Sequence, residues 1–181
     1  MNSLTSIRKK LVGLLDSQIA ILDGAMGTMI QVYDLQEKDY RGKQFSNWSM
    51  DLKGNNDLLS ITQPKIIEAI HKEFLVAGAN IIETNTFNSN APSMADYDMA
   101  DLVHDLNFSA AQIARKTVDN FKKKNPREIF VAGVLGPTNR TCSLSPDVED
   151  PSFRNINFDQ LVETFKVATS ALLDGGADLI M

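Results

Sequence analysis

At 181 residues, 43% hydrophobic and 23% charged, the chain has the composition of a folded domain with room for one sizeable core, which excludes disordered and collagen-like classes. Its net charge of -5, from 23 acids against 18 bases scattered without a basic stripe, argues against an electrostatic grip on nucleic acid. A single cysteine, Cys142, permits no internal disulfide and fits a cytoplasmic setting, and no apolar run approaches the length of a membrane span.

Leu4, Ile7, Leu11, Leu14 and Leu15 recur at helical spacing and predict a helix to about Ser17. The basic cluster Arg8 to Lys10 is not read as part of a secretion signal, because Asp16 and Gln18 interrupt the apolar stretch and no small-residue cleavage site follows. Ile19 to Leu22 reads as a buried strand, followed at once by Asp23, Gly24 and Gly27. A parallel strand ending in an acid delivers that acid to the mouth of the sheet, and glycines let backbone N–H groups approach a small anionic or zwitterionic ligand. The competing reading makes Asp23 only the N-cap of the helical pattern that begins near Gly24, with a short helix from about Gly27 to Tyr33.

Residues 34–57 are polar and irregular around Tyr40, Phe45 and Trp48, too long for a connector, so they predict a lid or a small packed excursion. Thr62 as N-cap, Pro64 in the first turn and an apolar face of Ile66, Ile67, Ile70, Phe74 and Leu75 predict a helix ending at Gly78. Asn80 to Phe87 follows as a strand whose end turns polar, with Glu83 and Asn85 on one face and Thr84 and Thr86 on the other; one face should line a pocket. Leu102, Val103, Leu106, Ala110, Ile113, Ala114, Val118 and Phe121 trace a further helix, stopped at Asn125-Pro126. Ile129 to Leu135 is a third strand, opening at Gly136-Pro137 into a polar loop that holds Cys142. Phe158 to Asp174 is a helix closed by Gly175-Gly176, and Asp178 to Met181 begins a fourth strand.

The junctions at 75–82 and 173–180 resemble each other, each a helix end, a glycine stop, a polar turn residue and a strand, which is how repeating α/β units are joined. Four strands amount to about half of a (β/α)8 barrel, which needs roughly 250 residues. The expected fold is therefore α/β, the first half of a TIM-type barrel over residues 1–181, with about four parallel strands and the last one cut mid-element at Leu179-Ile180-Met181. Among residues able to carry chemistry, His71 and His104 lack a metal-ligand partner at helical spacing and read as structural. Cys142 has no base at a telling distance and reads as passive. Glu83 ends an apolar strand, where a carboxylate needs water, a ligand or a partner such as Arg140.

Four stretches in order carry a resemblance: Leu22 to Gln31 (LDGAMGTMIQ), Gly54 to Leu59 (GNNDLL), Glu83 to Asn88 (ETNTFN) and Gly133 to Arg140 (GVLGPTNR). Together they resemble the homocysteine-binding domain at the start of the cobalamin-dependent methionine synthases, over about Ile19 to Met181. The resemblance implies a (β/α) barrel in which zinc, held by three cysteine thiolates from later strands, binds the homocysteine sulfur. That thiolate takes the methyl group of methylcobalamin carried on another module and recharged from methyltetrahydrofolate. It places the substrate grip at Asp23 and Gly24, with Glu83, Thr84 and Asn85 nearby. An acid facing an ammonium and N–H groups facing a carboxylate are what a zwitterion needs, so both lines of reading meet at Asp23. The chain departs from the pattern in lacking the three thiolates, so no metal ligand and no catalytic residue is assigned to it, and on its own it is expected to be inactive in methyl transfer. Two rival expectations stand beside this one: a different barrel enzyme, phosphate-handling or aldolase-like, using Asp23 as its acid, and a non-catalytic barrel fragment.

Overall fold

Helical stripes and short apolar runs alternate along the chain, and in the computed structural model, which describes residues 3–181, they fold as helices laid against a small parallel sheet. The elements are α1 (Ser3–Ser17), α2 (Met26–Gln31), α3 (Glu37–Arg41), α4 (Leu59–Thr62), α5 (Pro64–Ala77), β1 (Ile81–Glu83), α6 (Ala91–Met94), α7 (Val103–Lys122), β2 (Phe130–Gly133), α8 (Phe158–Asp174) and β3 (Leu179–Ile180), with 3-10 turns at Asn56–Leu58, Ala95–Tyr97 and Ala100–Leu102. The sheet order is β1-β2-β3 and both pairs are parallel, with Ile81 opposite Phe130 and Ala132 opposite Leu179. Helices α7 and α8 make the two crossovers, as parallel neighbours require.

The strand expected at Ile19–Leu22 is reduced to one parallel bridge, Leu22 to Ile81. Its backbone still pairs: Asn80 and Ile81 N–H donate to the Ile21 carbonyl, and Asp23 N–H donates to the Ile81 carbonyl. Its side chains are not buried, Ile19 being 87% and Ile21 53% exposed. The physical reason is that this segment is the sheet's edge, pairing with β1 on one side and with no described strand on the other.

Helix α5 begins at Pro64 after Gln63, not after a Thr62 cap. Thr62 instead ends α4, and the Gln63 side chain donates to the Asp39 carbonyl. Gly78 closes α5 in the left-handed conformation, the glycine stop its sequence foretells. Segment 34–57 is a packed excursion. Tyr40, Phe45 and Leu52 are buried with Ile67 and Ile70 of α5 and with Val103 and Leu106 of α7, while Trp48 donates its indole N–H to the Tyr97 carbonyl. A second cluster, Leu75, Ile82, Ala114, Val118, Ile129 and Val131, seals β1 and β2 against α5 and α7.

The paired junctions have a structural counterpart. Asn80 accepts the Ile21 N–H on its Oδ1 and Asp178 accepts the Val131 N–H on its Oδ2, so the polar residue entering each strand ties that strand to the preceding one. Asp178 also takes Arg115 at 2.9 Å.

His71 is fully buried on α5 and neither ring nitrogen has a partner among the described residues. Burial pulls its pKa from 6.5 down to about 4. The unfolded chain therefore takes up a proton below about pH 6.5 that the folded chain refuses, and stability falls as pH drops through that window, by about 3 kcal/mol in total at pH 4. Urea unfolding at pH 7 and pH 4 should show His71→Leu losing about 3 kcal/mol less than the wild type across that interval; an identical loss would mean that His71 is not held neutral.

Candidate functional site

Strand ends, the turn before α2 and the packed excursion converge on one cleft of about 470 Å3, lined by Asp23 to Gly27, Asn56, Asp57, Glu83 to Asn88 and Val134. It lies beyond the carboxyl ends of the strands, where parallel α/β sheets place their sites. All five residues expected to bind substrate are there: Asp23, Gly24, Glu83, Thr84 and Asn85.

Asp23 does not cap α2. The residue before that helix is Ala25, with no side-chain cap. The carboxylate turns across the sheet, where Asp23 Oδ2 accepts the Glu83 N–H at 3.0 Å. Asp23 Oδ1 is buried and has no partner among the described residues. Burial pushes the Asp23 pKa up to about 7; the Glu83 N–H pulls it down, and the neighbouring Glu83 carboxyl pushes it up again. Glu83 is itself raised by burial and forms no ion pair with Arg140 among the described residues.

Because β1 ends at Glu83, Thr84 to Thr86 turn over the mouth of the sheet and side chains from both of the expected faces reach the cleft. Thr84 Oγ1 lies 2.7 Å from Thr86 Oγ1 and accepts the Val134 N–H, and Thr86 Oγ1 donates to the Val134 carbonyl. The hydroxyls thus tie the end of β1 to that of β2. Asn85 Nδ2 donates to the Asn56 carbonyl and to Ser60 Oγ, joining the strand end to the excursion.

Asn56 and Asp57 belong to a motif the sequence displays, yet nothing in local spacing brings them to this cleft. Asp57 is buried, and its Oδ1 accepts the Asn88 N–H at 2.8 Å and the Ser89 hydroxyl at 2.9 Å. Burial raises its pKa, against the pull of those hydrogen bonds. The cleft-lining residues include three acids and no Lys, Arg or His. Such a lining suits a cationic group and leaves a phosphate without a counter-charge.

Gly24 packs against Phe74: a Cβ there would come 3.0 Å from its ring, so this glycine serves helix packing as well as backbone access. Cys142 lies in the β2–α8 loop outside the cleft, its carbonyl accepting Arg154 Nε. His104 is exposed and stacks on Phe108. Among the described residues no three His, Cys, Asp or Glu side chains gather as a metal site, and no described helix is long and apolar enough to cross a membrane.

The sequence matches the family profile described as Homocysteine S-methyltransferase over residues 20–181. The chain belongs to that family. Its fold is that of the homocysteine methyltransferase MmuM from Escherichia coli: the oxidized form superposes with a TM-score of 0.70 at 23% identity over 94% of this chain and 55% of that one. The metallated form gives 0.69 at 23% identity over 94% and 56%, and the apo form 0.61 at 24% over 92% and 50%. This chain therefore spans about half the length of those enzymes, and its α/β fold is that of part of their TIM barrel.

Gly136, which follows β2 in the same sequence stretch as Val134, is buried against Phe87 at the cleft, and a Cβ on it would overlap the Phe87 carbonyl oxygen. Gly136→Ala should cost about 3 kcal/mol or more in denaturant unfolding, at or beyond the upper end for overpacked sites. Gly13→Ala, on α1 with nothing within 4 Å, should gain up to about 1 kcal/mol. Equal effects would contradict the close approach at Phe87.

Proposed function

We propose that this chain binds homocysteine as a zwitterion and is the amino-terminal portion of the barrel of a cobalamin-dependent methionine synthase. The observation that carries the reading is the buried, unpartnered Asp23 oxygen in an acidic cleft free of Lys, Arg and His, within a chain of the homocysteine S-methyltransferase family. Asp23 takes the α-ammonium, with Glu83 adding negative charge, and the backbone at Gly24 faces the carboxylate. Thr84 and Asn85 hold the strand end against β2 and the excursion, so the two acids stay in place.

In the parent protein methylcobalamin, recharged from methyltetrahydrofolate, would supply the methyl group that the homocysteine sulfur accepts. The described residues do not fit a thiolate-held zinc ion, since Cys142 is the single cysteine and lies away from the cleft. What the residues of this chain do is bind and orient the amino acid; methyl transfer by the 181 residues alone is not expected. The reading is supported further by the four stretches, in order, that resemble the methionine synthases.

The raised Asp23 fixes the sign of the pH dependence. Below about pH 7 Asp23 is protonated and attracts an ammonium weakly; above it the carboxylate is charged. Homoserine, whose hydroxyl does not titrate in this range, isolates the effect from the homocysteine thiol. Calorimetry between pH 6 and pH 8 should show its affinity rising up to about tenfold, with Asp23→Asn weak and flat across the interval. A wild-type affinity that is flat, or that falls as pH rises, would remove Asp23 from the ammonium site.

A further inference from the structure

We infer that Asn56 is the side chain that selects ligands carrying an α-carboxylate, donating its Nδ2 hydrogens to that group while Asp23 takes the ammonium; this rests on the amino-acid site proposed above. The two ends of its amide have different surroundings. Tyr40, buried in the excursion, donates its hydroxyl to Asn56 Oδ1 at 2.9 Å. With Tyr40 donating to Oδ1, Nδ2 is the end turned elsewhere. Nδ2 stands 3.8 Å from where a Cβ on Gly27 would be, against the same turn of backbone that lines the cleft from Asp23 to Gly27. The backbone of Asn56 is fixed separately: its carbonyl accepts Asn85 Nδ2 at 2.8 Å, and Asn55 caps the 3-10 turn through the Leu58 N–H. The donor is therefore rigidly presented before any ligand arrives.

The other side-chain donors of the cleft are engaged or turned toward a protein acceptor. The Thr84 and Thr86 hydroxyls bond each other and the Val134 backbone, Asn85 Nδ2 is shared between Asn56 and Ser60, and the Asn88 amide faces Asp57. With no cationic side chain in the lining, a ligand carboxylate here depends on neutral donors, and Asn56 Nδ2 is a side-chain donor of the cleft with no acceptor among the described residues. A carboxylate that accepts from Nδ2 at the cleft face of the Gly24–Gly27 turn would lie on the side of the cleft that also holds Asp23, the arrangement a short α-amino acid spans. Tyr40 acts through Asn56 and is a positioning residue.

The test compares homocysteine with 3-aminopropane-1-thiol, the same chain without its carboxylate, by calorimetry on the wild type, Asn56→Asp and Tyr40→Phe. Asn56→Asp keeps the oxygen that Tyr40 donates to and replaces the donor with a negative charge. It should weaken homocysteine about 10- to 100-fold and leave the carboxylate-free amine unchanged or tighter. Tyr40→Phe should weaken homocysteine about 3- to 10-fold, again without touching the amine. A loss shared equally by both ligands would make Asn56 a structural residue and overturn the inference, as would an Asn56→Asp chain that binds homocysteine as tightly as the wild type. In that last case the amino-acid site still stands. If the wild type binds neither compound, the site reading itself fails and takes the role of Asn56 with it.

Discussion

The Asp23 carboxyl group is held between opposing demands. The Leu22–Ile81 bridge carries it to the end of an edge strand, where burial disfavours its charge, while the Glu83 N–H donates to one oxygen and favours it. One donor satisfies one oxygen; the other is buried without a partner among the described residues. A carboxyl group in that position is expensive to ionise unless a cation arrives, and the nearest protein charge, Glu83, is of the wrong sign. An ammonium would lower that cost, so the geometry that strains the free chain is the one the proposed amino-acid ligand would relieve.

The rest of the architecture keeps that point in register. Asn80 ties the edge segment to β1 and Asp178 ties β3 to β2, each by accepting a backbone N–H of the preceding strand. At the opposite end of the strands, Thr84, Thr86 and Val134 lock β1 to β2. The excursion from 34 to 57 supplies the fourth wall. Its buried Tyr40, Phe45 and Leu52 anchor it to the helices, and Asn56 and Asp57 are delivered to the cleft from that anchored base. Gly136 sets how closely the Phe87 backbone can approach.

Much of this was legible because burial writes periodicity into helices. The stripe from Val103 to Val118 is buried as its spacing predicts, and Phe158–Asp174 begins at an Asn157 capping box and ends at paired glycines. That Asp23 and Glu83 would reach the cleft was legible because an acid ending an apolar strand is conspicuous. Three things were not. Ile19 to Leu22 carries the apolar signature of a buried strand, yet exposure depends on what covers it and a sequence pattern does not contain its neighbour. Asp23 has the chemistry of a cap, and only the path of the chain decides that its side chain crosses to Glu83. Asn56 and Asp57 are brought to the cleft by the packing of a long irregular excursion, a tertiary outcome with no local period.

The central claim is that Asp23 is a high-pKa carboxyl group waiting for an ammonium, and carbon-detected NMR titration of its side chain tests it most directly. The account predicts a midpoint near pH 7 in the free chain that moves downward when homoserine is added. A midpoint in the ordinary aspartate range, unmoved by the ligand, would contradict it.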